Sequence, residues 1–367
     1  MNDPRLKKMA QLLMTHSLDL KKGDLLVIRT TPLATSLVLE LVREALRAGA
    51  YPCLRVDLEG AQEVFLKEAP PEVLDFLNPI DSLEMERVDA LLTVLAPFNT
   101  KGLSGVEPAR LARWQKTRGP LMRRHMERDG TSSVRWNVTA YPTQAAAQDA
   151  GMSLADFSDF VFAAMHLEEE NPSTFWLDFQ QRQERIVQRL AKGREIRVLG
   201  RGTDFTVRVD GRTWMNSHGR KNMPDGEIFT GPVESSACGH ILFSFPAIYQ
   251  QREVEGVRLV FEGGRCVKAE ASKEQDFLLQ TLEIDDGAKY LGEVAFGNNF
   301  GIQRFTKDIL FDEKIGGTLH LALGASYPST GGRNVSAIHW DMICDLREES
   351  EIRMDGEVIQ RNAEWLF

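Results

Sequence analysis

The sequence contains few cysteines, and they are not arranged as a disulfide framework or a thiolate metal site would require. Its 367 residues include four cysteines, at positions 53, 238, 266 and 344, without any Cys-x-x-Cys spacing. Disulfide-rich domains and structural zinc sites both depend on closely spaced cysteines, so neither is predicted. Cys238 and His240 form a Cys-x-His pair, but no further ligand of that type lies nearby in the sequence, and no metal role is predicted for them.

Long apolar runs and an excess of positive charge are lacking as well. No run approaches the about 18 apolar residues of a membrane-spanning helix, and the stretch from Met1 to Asp24 carries charges throughout instead of a signal-peptide core. The formal net charge is -9, with 44 Lys and Arg against 53 Asp and Glu, which gives no general attraction for phosphate backbones or anionic lipids. We therefore expect a cytoplasmic protein that binds neither nucleic acid nor membranes.

The glycine-rich motifs that bind nucleotides are also missing, although the first half alternates strand and helix patterns. DLLVIRT (24–30) and VDALLTVLAP (88–97) are predicted strands, and residues 33–50 repeat apolar side chains at helical spacing up to Gly49. No G-x-G-x-x-G follows the first strand, and no G-x-x-x-x-G-K-[ST] occurs anywhere. The alternation predicts an α/β layer with a largely parallel sheet, which serves as scaffold and not as a nucleotide site.

A change of pattern near the middle of the chain predicts two domains. The polar helical stretch 171–193 opens with Asn-Pro-Ser and closes on a glycine, as a connecting helix would. Beyond it, apolar residues alternate with a period of two, and Gly263-Gly264 marks the turn of a predicted hairpin. We predict an N-terminal α/β domain over residues 1–170, a connecting helix over 171–193 and a β-rich α+β domain over 194–367.

Two short apolar runs in the second domain place ionisable side chains where strands should bury a core. In TLHLALG (318–324) the strand period puts His320 on the face opposite the leucines, and in AIHWDMI (337–343) it puts His339 and Asp341 on one face. An imidazole and a carboxylate that project together are what a divalent ion needs from a His-x-Asp pair. Each residue alone could instead be a hydrogen-bonded core histidine, or an aspartate that fixes a histidine tautomer.

Two glutamates upstream shift the balance towards a metal site. Glu227 follows a Pro-Asp-Gly turn, and Glu293 interrupts YLGEVAF, a predicted buried strand; alone, they would be a solvated turn residue and a strand-edge acid. Together with the two histidines and Asp341 they suit two divalent ions about 3.5–4 Å apart, bridged by a carboxylate. Two divalent ions carry four positive charges against the three negative charges of the carboxylates, which leaves room for a bridging hydroxide. Metal binding lowers the pKa of the water that forms this hydroxide to roughly 7. The set predicts a hydrolase.

These segments resemble the thermophilic-type metalloaminopeptidases of peptidase family M29. NMPDGEIFTGPVE and YLGE look like the two glutamate motifs of that family, and HLALGASYP and SAIHWDMI look like its histidine and histidine-aspartate segments. The resemblance extends over most of the chain. It implies that five residues are metal ligands: Glu227, Glu293, His320, His339 and Asp341. It further implies that Glu293 is catalytic and that Tyr327 supplies an active-site hydroxyl, which could donate to the oxyanion of a tetrahedral intermediate; alternatively, Tyr327 is an aromatic lid on the sheet edge.

The resemblance implies an enzyme that removes N-terminal residues from peptides by means of two divalent ions, either zinc, cobalt or manganese. It also implies a homodimer whose second domain holds the metal. The segment between His320 and His339 is shorter than expected for the family, which predicts a trimmed loop at the mouth of the site. Two alternatives stay open: another two-metal hydrolase acting on phosphoesters or amides, since the ligands do not distinguish carbon from phosphorus, and a non-catalytic metal-binding protein. A phosphoesterase would need a basic pocket, and no cluster of Arg or Lys lies beside the ligand motifs apart from Arg333.

Overall fold

The chain folds into two compact units. The computed structural model describes residues 3–250 and 252–367. The first unit comprises the described residues up to Phe175 together with Gly219–Pro224, and the second comprises Trp176–His218 and Asp225–Phe367. Gly219–Pro224 lie in the first unit because two of these residues add a strand to its sheet. The predicted end of the first domain at residue 170 and the predicted start of the second at residue 194 stay predictions.

The first unit is built on a five-stranded parallel sheet with helices in the connections. Its strands are β1 Leu25–Thr30, β2 Tyr51–Val56, β3 Ala90–Leu95, β4 Arg135–Ala140 and β8 Asn222–Met223, in the order β2-β1-β3-β4-β8. Its helices are α1 Pro4–Leu12, α2 Thr35–Ala48, α3 Ala61–Glu68, α4 Pro71–Leu74, α5 Pro79–Arg87, α6 Pro108–Gly130, α7 Gln144–Asp149 and α8 Leu154–Ala164. A π-helical turn, Leu13–Ser17, extends α1. The predicted α/β layer with a parallel sheet is confirmed.

Local sequence explains how this alternation arises. In α2 the buried residues Leu37, Leu41 and Ala45 recur at intervals of four, which places them on one face of a helix. The helix ends where Gly49 adopts a left-handed conformation with φ of 74°, a backbone region that glycine enters without steric penalty. The chain can then turn directly into β2, which pairs in parallel with β1.

The second unit is rich in antiparallel strands. After helix α9, Pro172–Leu190, which begins in the residue range of the first unit, the strands are β5 Glu195–Gly200, β6 Thr203–Arg208, β7 Met215–Ser217, β9 Glu227–Thr230, β10 Cys238–Leu242, β11 Ala247–Tyr249, β12 Arg252–Val254, β13 Arg258–Glu262, β14 Arg265–Glu270, β15 Leu291–Gly297, β16 Thr318–Gly324, β17 His339–Asp345, β18 Glu351–Met354, β19 Glu357–Arg361 and β20 Glu364–Trp365. Two helices, α10 Gln275–Leu282 and α11 Ile309–Asp312, interrupt them. The predicted β-rich second half is confirmed.

These strands form two larger sheets and a small hairpin. An eight-stranded sheet has the order β14-β13-β10-β6-β5-β18-β19-β20, a five-stranded sheet has the order β17-β16-β15-β9-β7, and β11 pairs with β12. Leu319, Leu321 and Leu323 of β16 and Trp340 and Met342 of β17 belong to one large apolar cluster with residues of the eight-stranded sheet. Each such fully buried side chain contributes roughly 1.5–3 kcal/mol. Because strand side chains alternate, the opposite face of the five-stranded sheet is left for other residues.

The helices contain no candidate for a membrane span. Among the described residues, no helix combines sufficient length with sufficient apolarity to cross a bilayer.

Candidate metal centre

The five-stranded sheet brings the sequence-predicted residues together on one face. They come from four neighbouring strands: Glu227 from β9, Glu293 from β15, His320 from β16, and His339 and Asp341 from β17. Antiparallel pairing sets Ala322 opposite both Glu293 and Asp341, and it sets His320 opposite Ala295. Residues opposite one another on neighbouring strands project to the same side of a sheet. The leucines of β16 occupy the other side, so the ionisable groups are kept away from the apolar core.

A bulge in β15 shapes the site at Gly292. The register of β15 and β16 shifts between Leu291 and Glu293, so Gly292 has no partner residue in this ladder. A Cβ atom at Gly292 would lie 2.1 Å from the carbonyl oxygen of Ala325, so only glycine allows this close approach. The same carbonyl oxygen accepts a hydrogen bond of 2.9 Å from Nδ1 of His339. Since a carbonyl can only accept, Nδ1 carries a proton, and Nε2 is the nitrogen directed at the carboxylates.

Glu293 lies between the two histidines. Its Oε1 is 3.4 Å from Nε2 of His320, and its Oε2 is 3.4 Å from Nε2 of His339. On one side, His320 Nε2 also lies 3.3 Å from Oε2 of Glu227; on the other, His339 Nε2 lies 3.6 Å from Oδ1 of Asp341. Two groups with the spacing of metal ligands therefore share Glu293: Glu227–Glu293–His320 and Glu293–His339–Asp341.

Burial and missing hydrogen bonds indicate that these atoms suit a cation. His320 is completely buried, and Glu227 and Glu293 are almost completely so. Within the described part of the chain, both ring nitrogens of His320 and Oε2 of Glu227 are buried without a hydrogen-bond partner, although Nε2 of His320 lies 3.3 Å from Oε2 of Glu227 and 3.4 Å from Oε1 of Glu293. An unsatisfied buried polar group costs about 1–3 kcal/mol. A divalent ion would satisfy these atoms, and carboxylate with imidazole is a ligand set that such ions accept.

The ionisation of the metal-free site reflects this crowding. Burial alone would raise the pKa of Glu293, but its contacts with His320 and His339 outweigh burial and hold it at about 2. Burial would lower the pKa of both histidines, but Glu293 and the neighbouring acids raise them, to about 9 for His320 and about 10 for His339. Burial raises the pKa of Asp341 to about 6 and that of Glu227 well above its usual range. Without metal, the imidazoles are therefore protonated at neutral pH.

Tyr327 lies at the edge of this cluster. Its ring centre is 5.2 Å from that of His339 in an edge-on arrangement and 5.7 Å from that of Phe229. The side chain is 48% exposed, yet burial and then the nearby carboxylates of Glu293 and Asp341 raise the pKa of its phenol above the usual range. The hydroxyl therefore stays protonated at neutral pH and can act as a hydrogen-bond donor.

Sequence reasoning missed two residues, Glu313 and Lys314, which lie between α11 and β16. Glu313 forms a third group with the spacing of metal ligands, together with His320 and Asp341. Lys314 is completely buried, forms an ion pair with Glu313, and has its Nζ 3.8 Å from Oε1 of Glu227. Burial opposes the charge of Lys314, but Glu227 and Glu313 outweigh it and raise the pKa of the ammonium above its usual range. In the sequence, FDEK is an ordinary charged segment, and only its burial distinguishes it.

Comparison with known proteins shows which proteins the chain resembles along nearly its whole length. Residues 2–365 match the family described as thermophilic metalloprotease (M29). Aminopeptidase 2 of Geobacillus stearothermophilus is 26% identical over 100% of this chain and 98% of its own length. Aminopeptidase T of Thermus thermophilus is 29% identical over 94% of this chain and 93% of its own. The solved structure of wild-type AmpT from Thermus thermophilus has a TM-score of 0.87 at 24% identity, covers 99% of both chains, and therefore has the same fold. The chain belongs to the M29 family of thermophilic metalloproteases.

Proposed function

We propose that this chain is a metal-dependent aminopeptidase whose two divalent ions are bound by the five residues named from the sequence. Membership of a metalloprotease family supports a metal-dependent hydrolase, and relatives that align along nearly their whole length are named aminopeptidases. One observation carries the two-metal assignment: the two oxygens of Glu293 face different histidines, each at 3.4 Å. A carboxylate that faces two ligand groups in this way is suited to bridge two cations.

The residues divide between two metal positions that share Glu293. Glu227 and His320 complete one position, and His339 and Asp341 complete the other. Glu313 lies within reach of His320 and Asp341 and is a further candidate ligand. Oxygen and imidazole ligands without thiolate are compatible with zinc, cobalt or manganese, and these are the metals we propose.

The reaction would use the ions together with side chains of this chain. When held by these residues, divalent ions would polarise the scissile carbonyl and lower the pKa of a water molecule, which would supply a nucleophile at neutral pH. The phenolic O–H of Tyr327 would donate a hydrogen bond to the developing oxyanion, since its raised pKa keeps the hydroxyl protonated. The carbonyl of Ala325 holds Nδ1 of His339, which keeps the ring oriented with Nε2 towards Glu293. A carboxylate that is not bound to metal would accept a hydrogen bond from the free amino group of the substrate, which accounts for cleavage at the N terminus.

The family resemblance also supports finer proposals. We infer a cytoplasmic homodimer that acts on short peptides with a free N terminus and has no nucleic-acid or membrane partner. The α/β part of the chain, residues 1–170, would serve as scaffold, 171–193 as the connection, and 194–367 as the catalytic domain. The short segment between His320 and His339 would leave a wider entrance to the site.

A metal-replacement assay tests the proposed function. The purified protein is stripped with a chelator, reloaded separately with zinc, cobalt or manganese, and supplied with a panel of aminoacyl-nitroanilides. We expect hydrolysis that needs metal and that disappears when the amino group of the same substrate is acetylated. The acetylated substrates distinguish an aminopeptidase from a general amidase, and nitrophenyl phosphate tests for a phosphoesterase. Absence of turnover with every metal and every aminoacyl substrate would contradict the proposal.

A further inference from the structure

Lys314 is a fixed positive charge inside the proposed metal centre. It has no exposed surface, and its Nζ forms an ion pair with Oε1 of Glu313 and lies 3.8 Å from Oε1 of Glu227. Burying an ammonium group is costly unless acids compensate it, so its position is determined by these carboxylates. Both acids are members of groups with the spacing of metal ligands. The lysine and a divalent ion would therefore share the same carboxylates.

We propose that Lys314 is a positioning residue that divides the metal centre into a tight position and a weak, exchangeable one. By holding one oxygen of Glu227 and one of Glu313, it reduces the affinity for the ion that shares Glu227. The ion at Glu293, His339 and Asp341 is bound more tightly, because no ion pair with Lys314 reaches that group. The inference rests on the proposed two-metal function.

The contacts of Glu227 show how the lysine acts on one position. Its Oε1 faces Lys314 at 3.8 Å, whereas its Oε2 faces His320 at 3.3 Å and has no hydrogen-bond partner among the described residues. Lys314 therefore leaves one oxygen of Glu227 for a metal ion and fixes which one it is. At the same time its charge repels a dication at that oxygen, and such repulsion is strong in a buried site because solvent and salt screen it weakly.

The other position lacks this repulsion at contact distance. Within the part of the chain that the structure describes, the ion pairs of Lys314 go to Glu227 and Glu313. Those of His339 go to Glu293 and Asp341. A charge that contacts Glu227 of one position and none of Glu293, His339 and Asp341 of the other makes the two affinities unequal, even though both positions use carboxylate and imidazole.

Metal titration of the stripped protein tests this inference with a readout that is independent of activity. Zinc or manganese is titrated calorimetrically into wild type, Lys314→Met and Lys314→Arg, and the bound metal is counted after dialysis. We expect two unequal dissociation constants in wild type, a weak position that tightens about tenfold or more in Lys314→Met, and a tight position that changes less than about threefold. Lys314→Arg retains the charge and should resemble wild type. Lys289→Met is the matched control, since Lys289 pairs with Glu283 outside the site.

The outcomes separate the role of Lys314 from the metal centre itself. A purely structural lysine would lower the free energy of unfolding in Lys314→Met without changing the ratio of the two dissociation constants, and that result overturns the inference. Weaker metal binding in Lys314→Met also overturns it. If that variant does not fold, Lys314→Gln removes the charge but retains a polar group, and the same tightening is expected. Failure of wild type to take up any ion would instead refute the proposed function, and this inference with it.

Discussion

Replacing Glu293 with glutamine removes one charge from both proposed metal positions at once. The substitution preserves the shape of the side chain, and its oxygen and nitrogen would still lie near His320 and His339, which are each 3.4 Å from the carboxylate. Because Glu293 belongs to two of the groups with the spacing of metal ligands, both metal positions lose a negative charge in Glu293→Gln. The substitution therefore tests the shared carboxylate more directly than loss of Glu227 or Asp341, each of which belongs to one of the two groups that share Glu293.

The expected magnitude follows from ligand binding linked to folding. Changing a residue that only orients a metal ligand weakens metal binding by about 10–100-fold, so loss of a shared ligand charge should weaken it at least about 100-fold. At a metal concentration of 100 times the dissociation constant, each site adds about 2.7 kcal/mol to the free energy of unfolding. A hundredfold weaker site adds only about 0.4 kcal/mol at that concentration. The two sites together lose about 4.6 kcal/mol, which for a chain of 367 residues corresponds to a loss of roughly 6 °C in the metal-induced rise of the melting temperature.

Melting curves recorded with chelator and with a fixed metal concentration measure this difference. Wild type and Glu293→Gln are compared with Glu283→Gln, a matched change at an exposed glutamate that pairs with Lys289. The exposed control should keep the full metal-induced rise, since surface substitutions of this kind usually change stability by less than about 0.5 kcal/mol. If Glu293→Gln gains as many degrees from metal as wild type does, Glu293 is not a shared ligand and the reasoning fails.

Three further predictions concern other parts of the site. Tyr327→Phe should lower kcat on aminoacyl-nitroanilides roughly 100-fold while bound metal, counted by elemental analysis, stays the same, because only the oxyanion donor is lost. Gly292→Ala should lower the free energy of unfolding in urea by about 3 kcal/mol, since its Cβ would lie 2.1 Å from the Ala325 carbonyl oxygen. In metal-free protein, the pKa values of His320 and His339 are raised to about 9 and 10. Their protonation therefore contributes fully to the free energy of unfolding below pH 6.5, and this contribution is lost as the pH rises through 9 and 10. Urea unfolding measured against pH should show this decline without metal and lose it with metal.

For each of these three predictions, a different experimental result would contradict the reasoning. Loss of metal together with activity in Tyr327→Phe would make the phenol a structural or ligating group. Gly102→Ala is the control for Gly292→Ala, since its Cβ would meet the nearest atom, the Asn99 carbonyl oxygen, at an ordinary 3.4 Å. Equal stability of the two alanine variants would contradict the close approach at Gly292. A metal-free protein that becomes more stable between pH 7 and 10 would contradict the charged state of the histidines.

The sequence predicts the strands of this site well because their alternation is strict. In β16 and β17 each ionisable residue is flanked by large apolar ones, so the period of two identifies the face on which His320, His339 and Asp341 lie. Glu227 and Glu293 are harder to recognise, since a turn and a single acid in a strand have ordinary explanations. They join the set because three carboxylates and two imidazoles without a thiolate suit two divalent ions, and the family resemblance then implies the same five ligands. The alternating strand and helix patterns predict the parallel sheet of the first unit, but they do not single out every element, and strand β4 is among those missed.

Glu313 and Lys314 could not be found in the same way. They lie in the connection between α11 and β16, where no regular period indicates which way a side chain points. Charged residues in connections are usually solvated, and the complete burial of Lys314 is a property of tertiary packing. The strand Asn222–Met223 was missed for a related reason. Two residues carry too little pattern to reveal that they join the parallel sheet of the first unit.

The ladder of β15, β16 and β17 restricts where this protein can change length. Deleting a single residue within β16 would exchange its faces, sending His320 towards the apolar cluster and a leucine towards the acids, so packing and chemistry would be lost in one event. In the connections at 298–317 and 325–338, a change of one residue in length does not exchange the faces of a strand. Evolutionary insertions and deletions should therefore accumulate in the parts of those two connections away from Glu313, Lys314, Ala325 and Tyr327, where they could reshape access to the site without disturbing the strands.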